Sequence, residues 1–287
     1  LELWPFFALA FSFWGAVIIG YNHWAQVDGR TLVVLRTLGV WPLALLSLLF
    51  LPWPQDMTFY MVAAGMGTGL AYADTLLFNA AATHGGRLTA LYIPLKMMIG
   101  FFLWIVIDPA SATPLLAHPW KLAAVVAGFG ACGTALMFLR KADASWTALA
   151  AVLPVALLLA LGDVVAKEAL GAVTAEHGWA EVIGRTVAFL TVTTTVGSVG
   201  GMVLGGKIHF TWADALRSAG FGVVLLTGLS LLLLTLAIAP NPGYVAAITM
   251  LSALWLAMWA HFAHGEHNNI WAGVALVAGA MLVALGG

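Results

Sequence analysis

The sequence is short of charge. Asp, Glu, Lys and Arg together make up 8% of its 287 residues, against about 25% in soluble globular domains. So few charges cannot cover a water-facing surface, whereas a surface facing lipid needs none. The charges are also balanced: 11 basic and 12 acidic side chains give a formal net charge of -1. That excludes the basic footprint of a nucleic-acid-binding protein. Cysteine is nearly absent. Cys132 stands alone, so there is no intrachain disulfide framework and no cysteine signature of a redox compartment. There is no linker long enough to hold a soluble domain. A Gly-x-Ser-x-Gly elbow, a Walker loop and a His-Glu-x-x-His helix are all missing, so rhomboid-type hydrolysis, ATP-driven pumping and site-2-type proteolysis lack support. The opening apolar stretch from Leu3 has no basic flank and no small-residue cleavage site. It reads as a retained helix, not a signal peptide.

What the sequence has is apolar length. Hydrophobic residues make up 62% of the chain, and the mean hydropathy is +1.00. A helix crosses the hydrocarbon core with roughly 20 apolar residues. Runs of that kind predict spans at 3–21, 31–51, 58–80, 87–107, 120–139, 146–169, 179–204, 213–238, 243–263 and 270–286. The connectors carry turn punctuation, as in Pro52-Trp53-Pro54, Gly85-Gly86, Asp108-Pro109 and Pro240-Asn241-Pro242-Gly243. Trp4, Trp24, Trp53, Trp120, Trp146, Trp179, Trp212 and Trp271 lie near predicted span ends, where an amphipathic ring prefers the membrane interface.

The two halves repeat each other weakly. Trp4-Pro5 in the first span matches Leu153-Pro154 in the sixth at a shift of 149 residues, and the same shift carries Arg36-Thr37 onto Arg185-Thr186. Val126-Ala127-Gly128 in the fifth span resembles Val277-Ala278-Gly279 in the tenth. Three short matches agree on one duplication of five helices. An odd number of helices per repeat forces the halves into opposite orientations, as in alternating-access transporters. The expected fold is an all-α membrane protein: ten transmembrane helices in a five-plus-five inverted repeat around a central cavity. The repeats are 1–140 and 146–287, within one integral membrane domain.

These features together resemble the drug/metabolite transporter superfamily, in its ten-helix amino-acid-exporter branch. The resemblance rests on the five-plus-five layout, Phe13-Trp14-Gly15, Arg36 early in span two, Ala81-Ala82-Thr83-His84 closing span three, Pro94 in span four, and Gly265-Glu266 before the last helix. The Ala-Ala-Thr-His run is most similar to bacterial exporters of aromatic and neutral amino acids. One departure is plain: span nine reads Ala246-Ala247-Ile248-Thr249 and lacks the proline usual in the second repeat. The resemblance implies export of amino acids or similar small metabolites, a multi-pass location in the bacterial inner (plasma) membrane, and cytoplasmic termini. A tally of Lys and Arg near span ends favours the opposite orientation. No cofactor is expected. The expected partners are a small-molecule substrate and the lipid bilayer, with a monomer favoured over a dimer.

Intramembrane charges mark candidate sites, because each costs at least ~3 kcal/mol unless paired or wetted. Asp74, Lys96 and Asp163 lie deep in spans three, four and six. Lys167 follows Asp163 by one helical turn, so these two can neutralise each other; Lys96 can hold a substrate carboxylate or neutralise Asp74. Arg36 and Arg185 lie about one and a half turns into their spans, where long stems snorkel to the interface. Pro94 removes a ladder hydrogen bond and crowds the carbonyl of Ala90, and such breaks are where transporters build sites. Tyr92 and Lys96 flank it. The expected cavity lining is Trp14, Tyr21, Tyr72, Phe78, Asn79, His84, Tyr92, Pro94, Lys96, Asp163, Trp255 and Trp259. His84 titrates in the range useful for proton coupling, or caps its helix.

Two other functions are weighed against transport. His261, His264, His267 and Glu266 are residue types of a divalent-metal carrier, but the turn at Gly265 breaks their helical spacing. Asp74 and Asp163 raise an intramembrane aspartyl protease, in which two carboxylates share a proton. Its flanking Tyr and Gly patterns and its Pro-Ala-Leu run are absent.

Overall fold

A computed structural model of the chain describes residues 3–84, 92–140, 146–171, 178–205, 210–264 and 270–286. Among them the regular structure is helical: α1 (Trp4–Ala25), α2 (Gly29–Leu35), α3 (Thr37–Leu48), α4 (Met57–His84), α5 (Tyr92–Ile107), α6 (Thr113–Ala117), α7 (Pro119–Arg140), α8 (Trp146–Gly171), α9 (Trp179–Gly205), α10 (Trp212–Ile238), α11 (Pro242–Thr249), α12 (Ser252–His264) and α13 (Ile270–Gly286). Six stretches are long and apolar enough to cross a membrane: Trp4–Tyr21, Gly29–Leu48, Pro119–Phe138, Trp179–Val203, Trp212–Ile238 and Pro242–Trp259. A seventh is reached if Leu95–Ile107 and Pro109–Ala117, bent by 115° against each other, count as one. This is an all-α, multi-pass membrane protein.

Local sequence sets where the helices begin. Asp28 caps α2, accepting the Thr31 amide at 3.1 Å. Thr211 and Asp214 form a reciprocal capping box at the start of α10, with bonds of 2.9 and 3.2 Å. Asn241 accepts the Gly243 amide at 2.8 Å, with Pro242 opening α11. Inside the apolar helices, hydroxyls return to the preceding turn. In α9, Thr186, Thr191 and Thr194 donate to the carbonyls of Val182, Val187 and Leu190 at 2.8, 2.7 and 2.6 Å. A threonine-rich helix can thereby be buried without orphan donors.

The chain divides into two compact units, each drawing on both halves of the sequence: 1–16, 76–164 and 239–287 form one, 17–75 and 165–238 the other. In the second unit, α9 and α10 pack on α2 and α3. Gly222 of α10 lies against the Arg36 carbonyl, and a Cβ at Gly67 of α4 would sit 2.6 Å from the Thr193 carbonyl of α9. Both crossings use one sequence pattern, Ala64-Gly65-Met66-Gly67 in α4 and Ala219-Gly220-Phe221-Gly222 in α10. The glycine stripe of α9, Gly197 and Gly201 one turn apart, faces inward as well: the two meet Arg36 and Val34 of the same unit.

In the first unit, α7 and α13 pack closely on each other. A Cβ at Gly128 would lie 2.7 Å from the Gly279 carbonyl and 2.7 Å from Val283 Cγ2; a Cβ at Gly279 would lie 2.8 Å from the Gly128 carbonyl and 2.8 Å from Cys132 Sγ. Val283 and Cys132 each stand one turn beyond their own glycine. Gly286 meets Lys121 and Val125, so residues rising along α13 meet residues falling along α7. The helices are antiparallel and their contact is reciprocal. α11 packs on α5, with Asn241 Nδ2 donating to the Phe101 carbonyl at 3.3 Å.

Two details depart from the sequence reading. Trp4 is not an interfacial belt residue; it is 1% exposed and stacks on Tyr244 at 6.2 Å. Of the other predicted belt residues, Trp24, Trp120, Trp179, Trp212 and Trp271 are exposed, Trp53 is partly buried and donates to Ser47 Oγ at 3.1 Å, and the side chain of Trp146 lies outside the described residues. Span nine is interrupted between α11 and α12 although it lacks a proline. There the Leu251 and Ala253 amides shift to the carbonyls of Ile248 and Met250, three residues back, at 3.0 and 2.9 Å. A tightened turn thus replaces the α-helical ladder.

Candidate functional site

The buried charges sort into pairs that sequence spacing did not select. Lys96 of α5 and Asp163 of α8 form an ion pair, Nζ to Oδ2 2.7 Å, with side chains 19% and 12% exposed. One turn above, Gly100 faces Ala160, so small residues let α5 and α8 approach at this level. An Nζ–Oδ2 distance of 2.7 Å is that of a charge-assisted hydrogen bond. Removing one partner from such a pair costs about 3–5 kcal/mol, because the other is left charged in a poor solvent.

Lys167, the expected partner of Asp163, donates to the Leu236 carbonyl at 3.2 Å. Asp74, the other expected partner of Lys96, is coupled electrostatically to Arg36 within its own unit. Arg36 thus has its neighbours within its own unit. Its guanidinium lies against Gly197, where a Cβ would come within 3.3 Å of Nη2. Its Nε is buried and has no hydrogen-bond partner among the described residues. Arg185 also stays inside, 3.6 Å from Glu181 and 5.9 Å over the Phe59 ring.

The expected lining residues are divided between the two units. Trp14, Lys96, Asp163, Trp255 and Trp259 belong to the first unit, Tyr21 and Tyr72 to the second. Trp255 donates from Nε1 to Ser12 Oγ at 3.0 Å and meets Phe13 edge-on at 5.8 Å. This contact draws α12 onto α1, and Gly15 faces Ser252 beside it. Trp259 and Tyr72 are 73% and 53% exposed. Tyr21 packs on Phe221 and Trp24 and donates to the Arg217 carbonyl at 2.9 Å; it braces α1 against α10. The side chains of Phe78, Asn79, His84, Tyr92 and Pro94 lie outside the described residues, as does Ala90, whose carbonyl Pro94 was expected to free. Among the described residues no three metal-ligating side chains cluster, and the side chains of His264, Glu266 and His267 lie outside them.

No protein-family model matches the sequence, and no curated protein does. The fold is not isolated. The crystal structure of a protein superposes with a TM-score of 0.64 at 14% identity, covering 99% of this chain and 96% of that one. At that identity the likeness is one of fold alone.

Proposed function

We propose that the protein is a ten-span, inverted-repeat transporter of the drug/metabolite type, moving amino acids or similar small metabolites across the bacterial inner membrane by alternating access. The observation that carries the reading is the reciprocal, antiparallel contact of Gly128 and Gly279. These glycines are equivalent under the five-helix duplication, at a shift of 151 residues. Equivalent residues that touch each other through a self-complementary contact lie on a local two-fold axis. On this reading the antiparallel partners are related by an axis in the membrane plane, the arrangement of inverted-topology transporters.

Three further features support the reading. The second unit takes up the chain at residue 17 and again at residue 165, close to the same shift. The Ala-Gly-Met/Phe-Gly run recurs in α4 and α10, each time at a close helix crossing. Asp74 and Asp163 each have a cation of their own, Arg36 and Lys96. That pairing suits fixed charges in a transport pathway better than a proton-sharing catalytic dyad.

The test is counterflow of a panel of radiolabelled amino acids in proteoliposomes holding the purified protein. Saturable, stereoselective exchange of at least one amino acid is the expected outcome. Absence of exchange for the whole panel, with folded protein, overturns the reading.

A further inference from the structure

We infer that the Lys96–Asp163 pair is a charge filter for zwitterions: a substrate enters by exchanging this ion pair for two new ones, its carboxylate on Lys96 Nζ and its ammonium on the Asp163 carboxylate. The inference deepens the transport reading above and rests on it.

The first argument is the repeat. The shift of 149 residues set by Trp4-Pro5 and Leu153-Pro154 carries Trp14 onto Asp163. Aligning Tyr92-Ile93 with Tyr244-Val245 carries Lys96 onto Ile248. At the two places related by the duplication, one has a cation and an anion, and the other has tryptophan and isoleucine. If the crossing of these helices required an ion pair, its counterpart would carry one too. The counterpart positions carry no charge in the sequence, so on the proposed repeat the charges serve something other than assembly.

The second argument is electrostatic. The pair is neutral as a whole, and both groups are mostly shielded, 19% and 12% exposed. A zwitterion adds one charge of each sign, so the site stays neutral and each group trades one ionic partner for another. A plain amine satisfies Asp163 but leaves Lys96 unpaired, and a plain carboxylate does the reverse. The filter therefore rejects singly charged solutes through the partner they strand, which discriminates more strongly than loss of a contact alone. Among the described residues neither charge is paired with a second ion, so within them a stranded group finds no spare counter-ion.

Counterflow of phenylalanine in proteoliposomes is the experiment, competed by phenethylamine and by 3-phenylpropionate. Both analogues keep the ring and lose one charge. The expected result is that each competes about 10- to 100-fold more weakly than unlabelled phenylalanine. The double variant Lys96→Met/Asp163→Asn leaves no orphan charge; it should fold and lose phenylalanine counterflow by a similar factor. The exchanged variant Lys96→Asp/Asp163→Lys should recover part of it. Wild-type-like phenylalanine transport by the double variant overturns the inference while leaving the transporter reading intact. So does equal competition by either analogue, and that measurement on the wild type decides the matter if the double variant fails to fold. A wild type that exchanges no amino acid overturns the transporter reading, and this inference with it.

Discussion

Gly128 and Gly279 each lie against the other's carbonyl oxygen, and each also meets the residue one turn beyond its partner, Val283 or Cys132. The contact is indifferent to which helix is named first. It also leaves no room: an added methyl group would fall within 2.8 Å of backbone on either side, where nothing flexible can yield.

Gly279→Ala should therefore destabilise the protein by about 1–3 kcal/mol, the usual range for overpacking a tight contact. Scanning fluorimetry in detergent measures it as a lowered midpoint. Gly130→Ala is the control on the same helix, because nothing lies within 4 Å of its added Cβ. Equal midpoints for the two variants would mean that α7 and α13 are not in contact.

The second unit offers a graded version of the same test. Gly222 abuts the Arg36 carbonyl, whereas a Cβ at Gly201 would sit 3.5 Å from Val34 Cγ2, an ordinary contact. Gly222→Ala should lower folded yield sharply, Gly201→Ala should not, and Gly201→Leu should again lower it. Gel-filtration yield of the three variants gives the order. Normal yield from Gly201→Leu would place the α9 stripe against lipid.

Much of this arrangement is legible in the chain before any coordinates. Six of the ten apolar runs fall on helices long and apolar enough to cross a membrane, a seventh if the bent pair after Leu95 counts as one, because a span's length and polarity are local properties. The Val-Ala-Gly match of spans five and ten picked out two residues, Gly128 and Gly279, that touch. The charge pairings were not legible. Asp163 and Lys167 satisfy the one-turn rule of an isolated helix, yet the carboxylate bonds to Lys96, 67 residues away in sequence. Which spans are neighbours is decided by packing, and glycine placement governs that packing more than charge does. The interruption after Thr249 was equally hidden, because a run of three-residue hydrogen bonds can break a helix without proline.

Arg36 and Asp74 are coupled electrostatically in the second unit, and Arg36 Nε has no hydrogen-bond partner among the described residues. Asp74→Asn removes the opposing charge and should lower stability. The double variant Arg36→Met/Asp74→Leu removes both charges and should recover most of that loss. Thermal midpoints of the single and double variants check this. A single variant as stable as the wild type would show that Asp74 does not hold Arg36 in place.

The antiparallel crossing of α7 and α13 can be captured covalently. A disulfide holds each Cβ about 3 Å from the far sulfur, and the Cβ of a side chain at position 279 would lie 2.8 Å from Cys132 Sγ. Gly279→Cys thus presents the single native thiol with a partner at bonding range, and a mild oxidant in detergent should join them. With a protease site engineered into the connector at 206–209, cleavage yields two fragments. These should stay together on a non-reducing gel and separate on adding thiol. Gly273→Cys faces Leu254 of α12 instead, and its cleaved fragments should separate under either condition. The cross-link is formed within one chain, so it must persist at high dilution, where contact between copies is lost. Fragments of Gly279→Cys that separate without reductant would mean that α7 and α13 do not cross at these glycines. The proposed two-fold axis, and with it the observation that carries the transporter reading, would then be lost.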